Sequence, residues 1–196
     1  MLARIFCLVG ASDDPSLLPE LAAAGVDGFQ VRARGLGDRE LLGLTELVIG
    51  SVRPRGAMIV VNDRVDVALA AGADGVHLGA DDLPVRAARR VAPGMVVGAT
   101  CRNPADLARA AEDGADYAGF GPVFRTGSKT GLPDPLGVAA LRAAAGTLPL
   151  IAIGGIGAGN AAHVVAAGAH GVAVIGGIWR QPDPVAAAKD LASAID

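Results

Sequence analysis

Short apolar runs alternate along this chain with Ala-rich stretches in which apolar positions recur at helical spacing. One phrase recurs where the Ala-rich stretches end: Gly25-Val26-Asp27-Gly28, Gly72-Ala73-Asp74-Gly75, Gly114-Ala115-Asp116-Tyr117 and Gly168-Ala169-His170-Gly171. Each copy leads into an apolar run: Phe29-Gln30-Val31, Val76-His77-Leu78, Ala118-Gly119-Phe120 and Val172-Ala173-Val174. Glycine ends a helix in the left-handed conformation, and a short turn then enters the strand. The copies start 47, 42 and 54 residues apart, about two compact βα units each. Between them lie four further strand candidates, Ile5–Val9, Met58–Val61, Val96–Thr100 and Leu150–Ile153. The pattern predicts one α/β domain over residues 1–196, a small (β/α)8 TIM barrel. A doubly wound open sheet alternates in the same way, but eight evenly spaced strands in 196 residues fit closure better.

Composition agrees with buried parallel strands. The chain is 52% hydrophobic but only 3% aromatic, so the core must be built from Ala, Val, Leu and Ile. Its 28 glycines are too many for helix interiors and suit many short turns. A net charge of −3, without a basic cluster or aromatic platform, argues against nucleic-acid binding. Cys7 and Cys101 lack metal-ligand spacing and sit in apolar runs, as buried free thiols do. Ile5–Val9 is of strand length, too short for a signal peptide or a membrane span. The expected setting is a reducing cytoplasm.

In a barrel the site is built from the loops that follow the strands, so the strand ends carry the chemistry. Alternation puts Gln30, Arg32 and Arg34 on one face of the second strand. Inward cations at a barrel mouth call for an anion. The third and fourth strands stop at Asn62-Asp63 and at His77, followed by Asp82. Each Asp alone could be a helix N-cap, and Leu83-Pro84 favours that role for Asp82. Two carboxylates beside two arginines instead fit Mg²⁺, which binds through one or two carboxylates while substrate phosphates complete its shell. The fifth strand ends in Thr100-Cys101-Arg102. The longest irregular segment, from Gly121 to about Pro135, carries Thr126, Ser128 and Lys129, two hydroxyls and a cation suited to an anionic leaving group. After strands seven and eight come Gly154-Gly155 and Ile175-Gly176-Gly177, glycine pairs that let backbone N–H groups approach a phosphate. Two anion sites are therefore expected, one for a diphosphate and one for a phosphate ester.

These residues resemble the thiamin phosphate synthase family over nearly the whole chain. The resemblance rests on Gln30-Val31-Arg32, Val61-Asn62-Asp63-Arg64, Ala73 through Gly79 followed by Asp82, Gly121-Pro122-Val123-Phe124, Thr126, Lys129 and Ile153-Gly154-Gly155-Ile156. It implies that the chain joins a hydroxymethylpyrimidine diphosphate to a hydroxyethylthiazole phosphate and releases pyrophosphate. By the same resemblance, Asp63 and Asp82 would hold Mg²⁺, and Arg32, Asn62, Lys129 and Thr100 would carry the catalysis. Gln30 and His77 would face the pyrimidine side, Thr126 and Ser128 with the backbone of Gly155 and Gly176 would contact the thiazole phosphate, and Arg34 and Ile175 would also bind substrate. The implied partners are small phosphorylated pyrimidines and thiazoles, with no nucleic acid and no membrane; barrels of this size often self-associate. Departures from the family pattern are Arg34 for a usual Lys, Ala80 for Gln, Thr100 for Ser, Ser128 for Thr and Gly176 for Ser. Two other readings share the barrel. A thiazole tautomerase would need a histidine shuttle after the fifth strand, where this chain has Arg102. A silent barrel binding thiamin precursors would have no need of Asp63, Asp82 and Lys129.

Overall fold

All eight apolar runs are strands: β1 (Ile5–Val9), β2 (Gly28–Val31), β3 (Met58–Asn62), β4 (Gly75–Leu78), β5 (Val96–Cys101), β6 (Tyr117–Phe120), β7 (Leu150–Ile153) and β8 (Gly171–Val174). The computed structural model describes residues 1–127 and 134–195. The strands lie in sequence order as a closed parallel barrel, with β8 returning to β1 through Ala173 opposite Phe6. Outside them pack α1 (Leu18–Ala23), α2 (Asp38–Val52), α3 (Val65–Ala71), α4 (Val85–Val91), α5 (Pro104–Glu112), α6 (Gly137–Ala144) and α7 (Ala158–Ala166). A short turn of helix at the mouth, α8 (Gly176–Trp179), precedes the final α9 (Pro184–Ile195). Among the described residues no helix is long and apolar enough to cross a membrane.

Strand alternation divides the apolar residues between two cores. Along β1, Ile5, Cys7 and Val9 face the helices, whereas Phe6 and Leu8 point into the barrel with Val60, Tyr117, Ile151 and Ala173. Large rings inside the barrel are matched by glycines. A β-carbon on Gly28 would lie 2.7 Å from the Phe6 ring, one on Gly98 2.1 Å from Tyr117, and one on Gly119 2.7 Å from His77. Phe6 and Tyr117 stack with centroids 5.9 Å apart. Above them, toward the strand C-termini, the barrel opens into a cavity.

The recurring Gly-Val/Ala-Asp phrase does two jobs. Gly25, Gly72, Gly114 and Gly168 have φ of +106°, +67°, +90° and +102°, the left-handed helix ends anticipated from their spacing. The Asp two residues later meets the exposed start of the preceding strand. Asp27 accepts from the Ile5 N–H at 2.7 Å, Asp74 from Ile59 at 2.7 Å and Asp116 from Val97 at 2.7 Å. Each carboxylate supplies an acceptor to an N–H in the first two residues of its strand. Arg53 and Arg89 brace Asp74 and Asp116 in turn.

Candidate active site

A cavity of about 820 Å³ opens at the C-terminal end of the barrel, with Phe6, Leu8, His77 and Tyr117 in its floor. Gln30, Arg32, Arg34, Asn62, Asp63, His77, Asp82, Thr100, Thr126, Gly155, Ile175 and Gly176 all line it, so the expected residues from seven strand ends meet in one space. Ser128 and Lys129 lie outside the described residues.

On the β2–β4 side the polar groups are already ordered. Gln30 is buried, and its Nε2 donates to Asn62 Oδ1 at 2.7 Å. That bond leaves the Gln30 carbonyl and the Asn62 amide N–H groups for a ligand. Asp63 adopts φ +67°, unusual for a residue with a side chain, and neither it nor Asp82 caps a helix. The N-cap positions of α3 and α4 are Arg64 and Pro84, without side-chain capping bonds. The capping role that Leu83-Pro84 suggested for Asp82 is thereby corrected. Asp82 Oδ2 instead accepts from the Gly79 N–H at 2.6 Å, closing a turn that aims the carboxylate inward.

Electrostatics here are unbalanced in a way that invites ligands. Burial, then the adjoining Asp82 carboxylate, push the Asp63 pKa up to about 6, against the pull of Arg34. Arg34 Nη2 lies 3.1 Å from Asp63 Oδ2 and is largely exposed. The Arg32 guanidinium makes no hydrogen bond or salt bridge among the described residues, and burial, then Arg34, lower its pKa against the pull of Asp63. A half-buried cation without a partner is a place for an anion. No group of three or more His, Cys, Asp or Glu comes together among the described residues, so a cation here would have two protein carboxylates.

Deeper in the cavity, His77 Nδ1 lies 3.1 Å from Tyr117 Oη and its Nε2 lies 3.1 Å from Thr100 Oγ1. Burial holds the His77 pKa down to about 4, so the ring is neutral at ordinary pH. Burial also raises the Tyr117 phenol well above its usual range.

The opposite wall is backbone. Gly154 and Gly155 have φ of +100° and +66°. A β-carbon would lie 2.5 Å from Pro122 at the first and 2.4 Å from the Arg125 carbonyl at the second. Only glycine lets the β6–α6 connection settle there, where Val123 and Phe124 N–H groups donate to the Ile153 and Gly154 carbonyls at 2.8 and 3.0 Å. Asn160 folds back to bond the Gly157 N–H and the Gly155 carbonyl. Arg102 Nη1 donates to the Gly121 carbonyl at 3.0 Å and Nη2 to that of Asp134 at 3.1 Å, joining both ends of the connection. Arg180 and Gln181, just after α8, complete the rim.

Sequence reasoning had passed over Tyr117, the anchoring role of Arg102, and Arg180. Tyr117 was accessible in principle, because it shares an inward face with Gly119 and Gly121. The other two depend on how loops fold over one another, and no local pattern signals that.

Comparison with known proteins agrees with this geometry. The family model described as thiamine monophosphate synthase matches residues 6–178. A thiamine-phosphate synthase from Methanoculleus marisnigri is 50% identical over 177 residues, 89% of this chain and 84% of the relative. Another from Chlorobium luteolum is 44% identical over 192 residues, 95% of this chain and 91% of the relative. The structure of a thiamine phosphate pyrophosphorylase from Pyrococcus furiosus matches with a TM-score of 0.89 at 30% identity, covering 98% of this chain and 95% of that one. A 3-hexulose-6-phosphate synthase, with a TM-score of 0.75 at 23% identity over 98% of this chain and 100% of that one, shares the barrel alone.

Proposed function

This chain belongs to the thiamine monophosphate synthase family, and from that premise we propose that it couples a hydroxymethylpyrimidine diphosphate to a hydroxyethylthiazole phosphate, forming thiamine phosphate and pyrophosphate. The observation that carries the reading is the meeting of Asp63, Asp82 and Arg32, whose guanidinium has no hydrogen bond among the described residues, on one side of a cavity whose other wall is glycine backbone. The first side suits a diphosphate with its cation, and the second suits a phosphate ester.

The residues fit Mg²⁺: burial, together with the neighbouring Asp82 carboxylate, raises the Asp63 pKa to about 6, and such a pair gains from a shared divalent cation. When bound, the ion would offset charge on the diphosphate oxygens. The remaining work belongs to the chain. Arg32 and Asn62 hold the diphosphate, while the free carbonyl of Gln30 accepts from the aminopyrimidine. The bond between the pyrimidine methylene and the diphosphate oxygen breaks, and its electron pair leaves with pyrophosphate. An electron-rich aminopyrimidine stabilises the methylene cation, and the thiazole nitrogen lone pair then forms the new C–N bond. Alignment and leaving-group stabilisation therefore dominate, and no strong general base is needed. Lys129 and Ser128, assigned by resemblance, would add to the same anion sites. Gly155, Ile175 and Gly176 line the thiazole phosphate end. Free thiols at Cys7 and Cys101 support a cytoplasmic setting.

Against the tautomerase reading stands Arg102, which occupies the place of the required histidine and spends its guanidinium on two backbone carbonyls. The deciding assay supplies both phosphorylated substrates with and without Mg²⁺. Coupled product only with Mg²⁺ is expected. Aromatisation of the thiazole carboxylate phosphate without coupling would overturn the reading.

A further inference from the structure

A chain of three side chains runs up from the floor of the cavity. Tyr117 Oη contacts His77 Nδ1 at 3.1 Å, and His77 Nε2 contacts Thr100 Oγ1 at 3.1 Å. Tyr117 is 2% exposed, and its ring lies against Gly98, where no other side chain fits. Among the described residues its hydroxyl has no polar partner except His77. Thr100 likewise makes no other side-chain hydrogen bond, and it faces the cavity.

Counting protons along this chain fixes its direction. A buried phenol O–H that can reach a single acceptor must donate to it, because leaving the donor unmet is costly. A ring nitrogen that accepts this proton is itself bare, and an imidazole with one bare nitrogen carries its N–H on the other. If Nδ1 accepts from Tyr117, the ring proton is on Nε2, which then donates to Thr100 Oγ1. The Thr100 oxygen is thereby committed as an acceptor toward His77, and its own O–H is free to point into the cavity. The reverse order would strand the tyrosine proton in an apolar pocket and turn the Thr100 lone pairs toward the ligands.

We infer that Tyr117 is a positioning residue: acting through His77, it makes Thr100 a dedicated hydrogen-bond donor to the departing diphosphate. The inference rests on the proposed coupling reaction for its ligand, but not for the direction of the chain. A donor aimed in advance at an oxygen that gains charge as the bond breaks strengthens in the transition state. Its contribution therefore falls on turnover more than on substrate binding.

Two measurements test this. In ¹⁵N-labelled wild-type protein, the His77 ring signals, assigned by their loss in His77→Gln, are expected to show Nε2 protonated and Nδ1 bare. A ring protonated on Nδ1 overturns the inference whatever the enzyme catalyses. In the coupling assay, Thr100→Val is expected to lower kcat on the order of 10²-fold, while Thr100→Ser keeps most of it. Tyr117→Phe should lower kcat about three- to tenfold, since only part of the His77 population then has the useful tautomer. The KM for the pyrimidine diphosphate should stay within about twofold. Adding Tyr117→Phe to Thr100→Val should cost nothing further; a merely structural tyrosine would penalise both backgrounds equally, and that result sinks the inference. Absence of coupling by the wild-type enzyme would overturn the proposed function instead, and the ring signals would still decide the direction of the chain.

Discussion

The carboxylates of Asp63 and Asp82, which follow successive strands, converge over the α-carbon of Gly79. A β-carbon placed there would lie 2.6 Å from Asp82 Oδ2 and 3.9 Å from Asp63 Oδ1. Burial, then crowding of like charge from Asp82, lifts the Asp63 pKa from 3.8 to about 6. The folded chain thus binds this proton more tightly than the unfolded chain does. The group favours the fold most below about pH 4, and that advantage disappears as pH rises through about 6. A divalent cation needs the deprotonated pair, so its binding follows the opposite trend. The Tm gain from added Mg²⁺ should be small near pH 5 and level off above about pH 7. Asp63→Asn should flatten that profile, as melting curves across the range would reveal.

Removing one of the two carboxylates should separate the substrate sites. Asp63→Ala is expected to lose on the order of 10²-fold or more in coupling, with thiazole phosphate affinity unchanged by titration calorimetry. The reason is distance within the cavity: Gly155 and Gly176 form its other wall. Equal loss of both ligands would mean that the two sites are one.

Gly155 is constrained twice, by a φ of +66° and by the Arg125 carbonyl 2.4 Å from any added β-carbon. Gly155→Ala should therefore displace the β6–α6 connection and the backbone wall together. The backbone conformation alone costs about 1 kcal/mol. Thiazole phosphate affinity should fall about tenfold or more, while pyrimidine diphosphate binding changes little. Measuring the two dissociation constants separately checks this.

Far from the cavity, Asp74 supplies the acceptor for Ile59 at the start of β3 and pairs with Arg53. Asp74→Ala leaves that partly buried N–H without its partner. A loss of about 1–3 kcal/mol in urea unfolding is expected, with kcat per folded molecule unchanged. A neutral effect on stability would show that water replaces the carboxylate at no cost.

How far the chain could be read in advance depended on the kind of signal. Strand positions were legible because period-two alternation and the Gly-Val/Ala-Asp phrase are local; Ile5–Val9 and Leu150–Ile153 coincide with β1 and β7. The glycine of that phrase was understood, but its aspartate was not. Asp27 bonds a strand 22 residues earlier, a relationship with no local trace. In the site, spacing put Arg32 and Arg34 on one face and marked Arg34 as the one that could already lie in the loop; the fold adds that Arg34 pairs with Asp63, while the Arg32 guanidinium has no such bond among the described residues. Tyr117 drew no functional reading, since a single barrel register decides whether its hydroxyl meets His77.

Arg102 first stood out only as a residue that is not histidine. In the fold its planar fork spans the carbonyls of Gly121 and Asp134, which begin and end the connection bearing Thr126. Holding both carbonyls needs two N–H groups set apart at a fixed angle, and a lysine ammonium has no such geometry. Arg102→Ala and Arg102→Lys should therefore behave alike, each lowering kcat/KM about tenfold or more. Most of that loss should appear in the KM for both substrates, because the connection walls the shared cavity. If Lys restores activity, charge rather than shape is what the site requires of this residue. Arg102→His supplies the remaining comparison: it should gain no tautomerase activity, since a histidine there cannot tie Gly121 to Asp134 and would face a loop left unanchored.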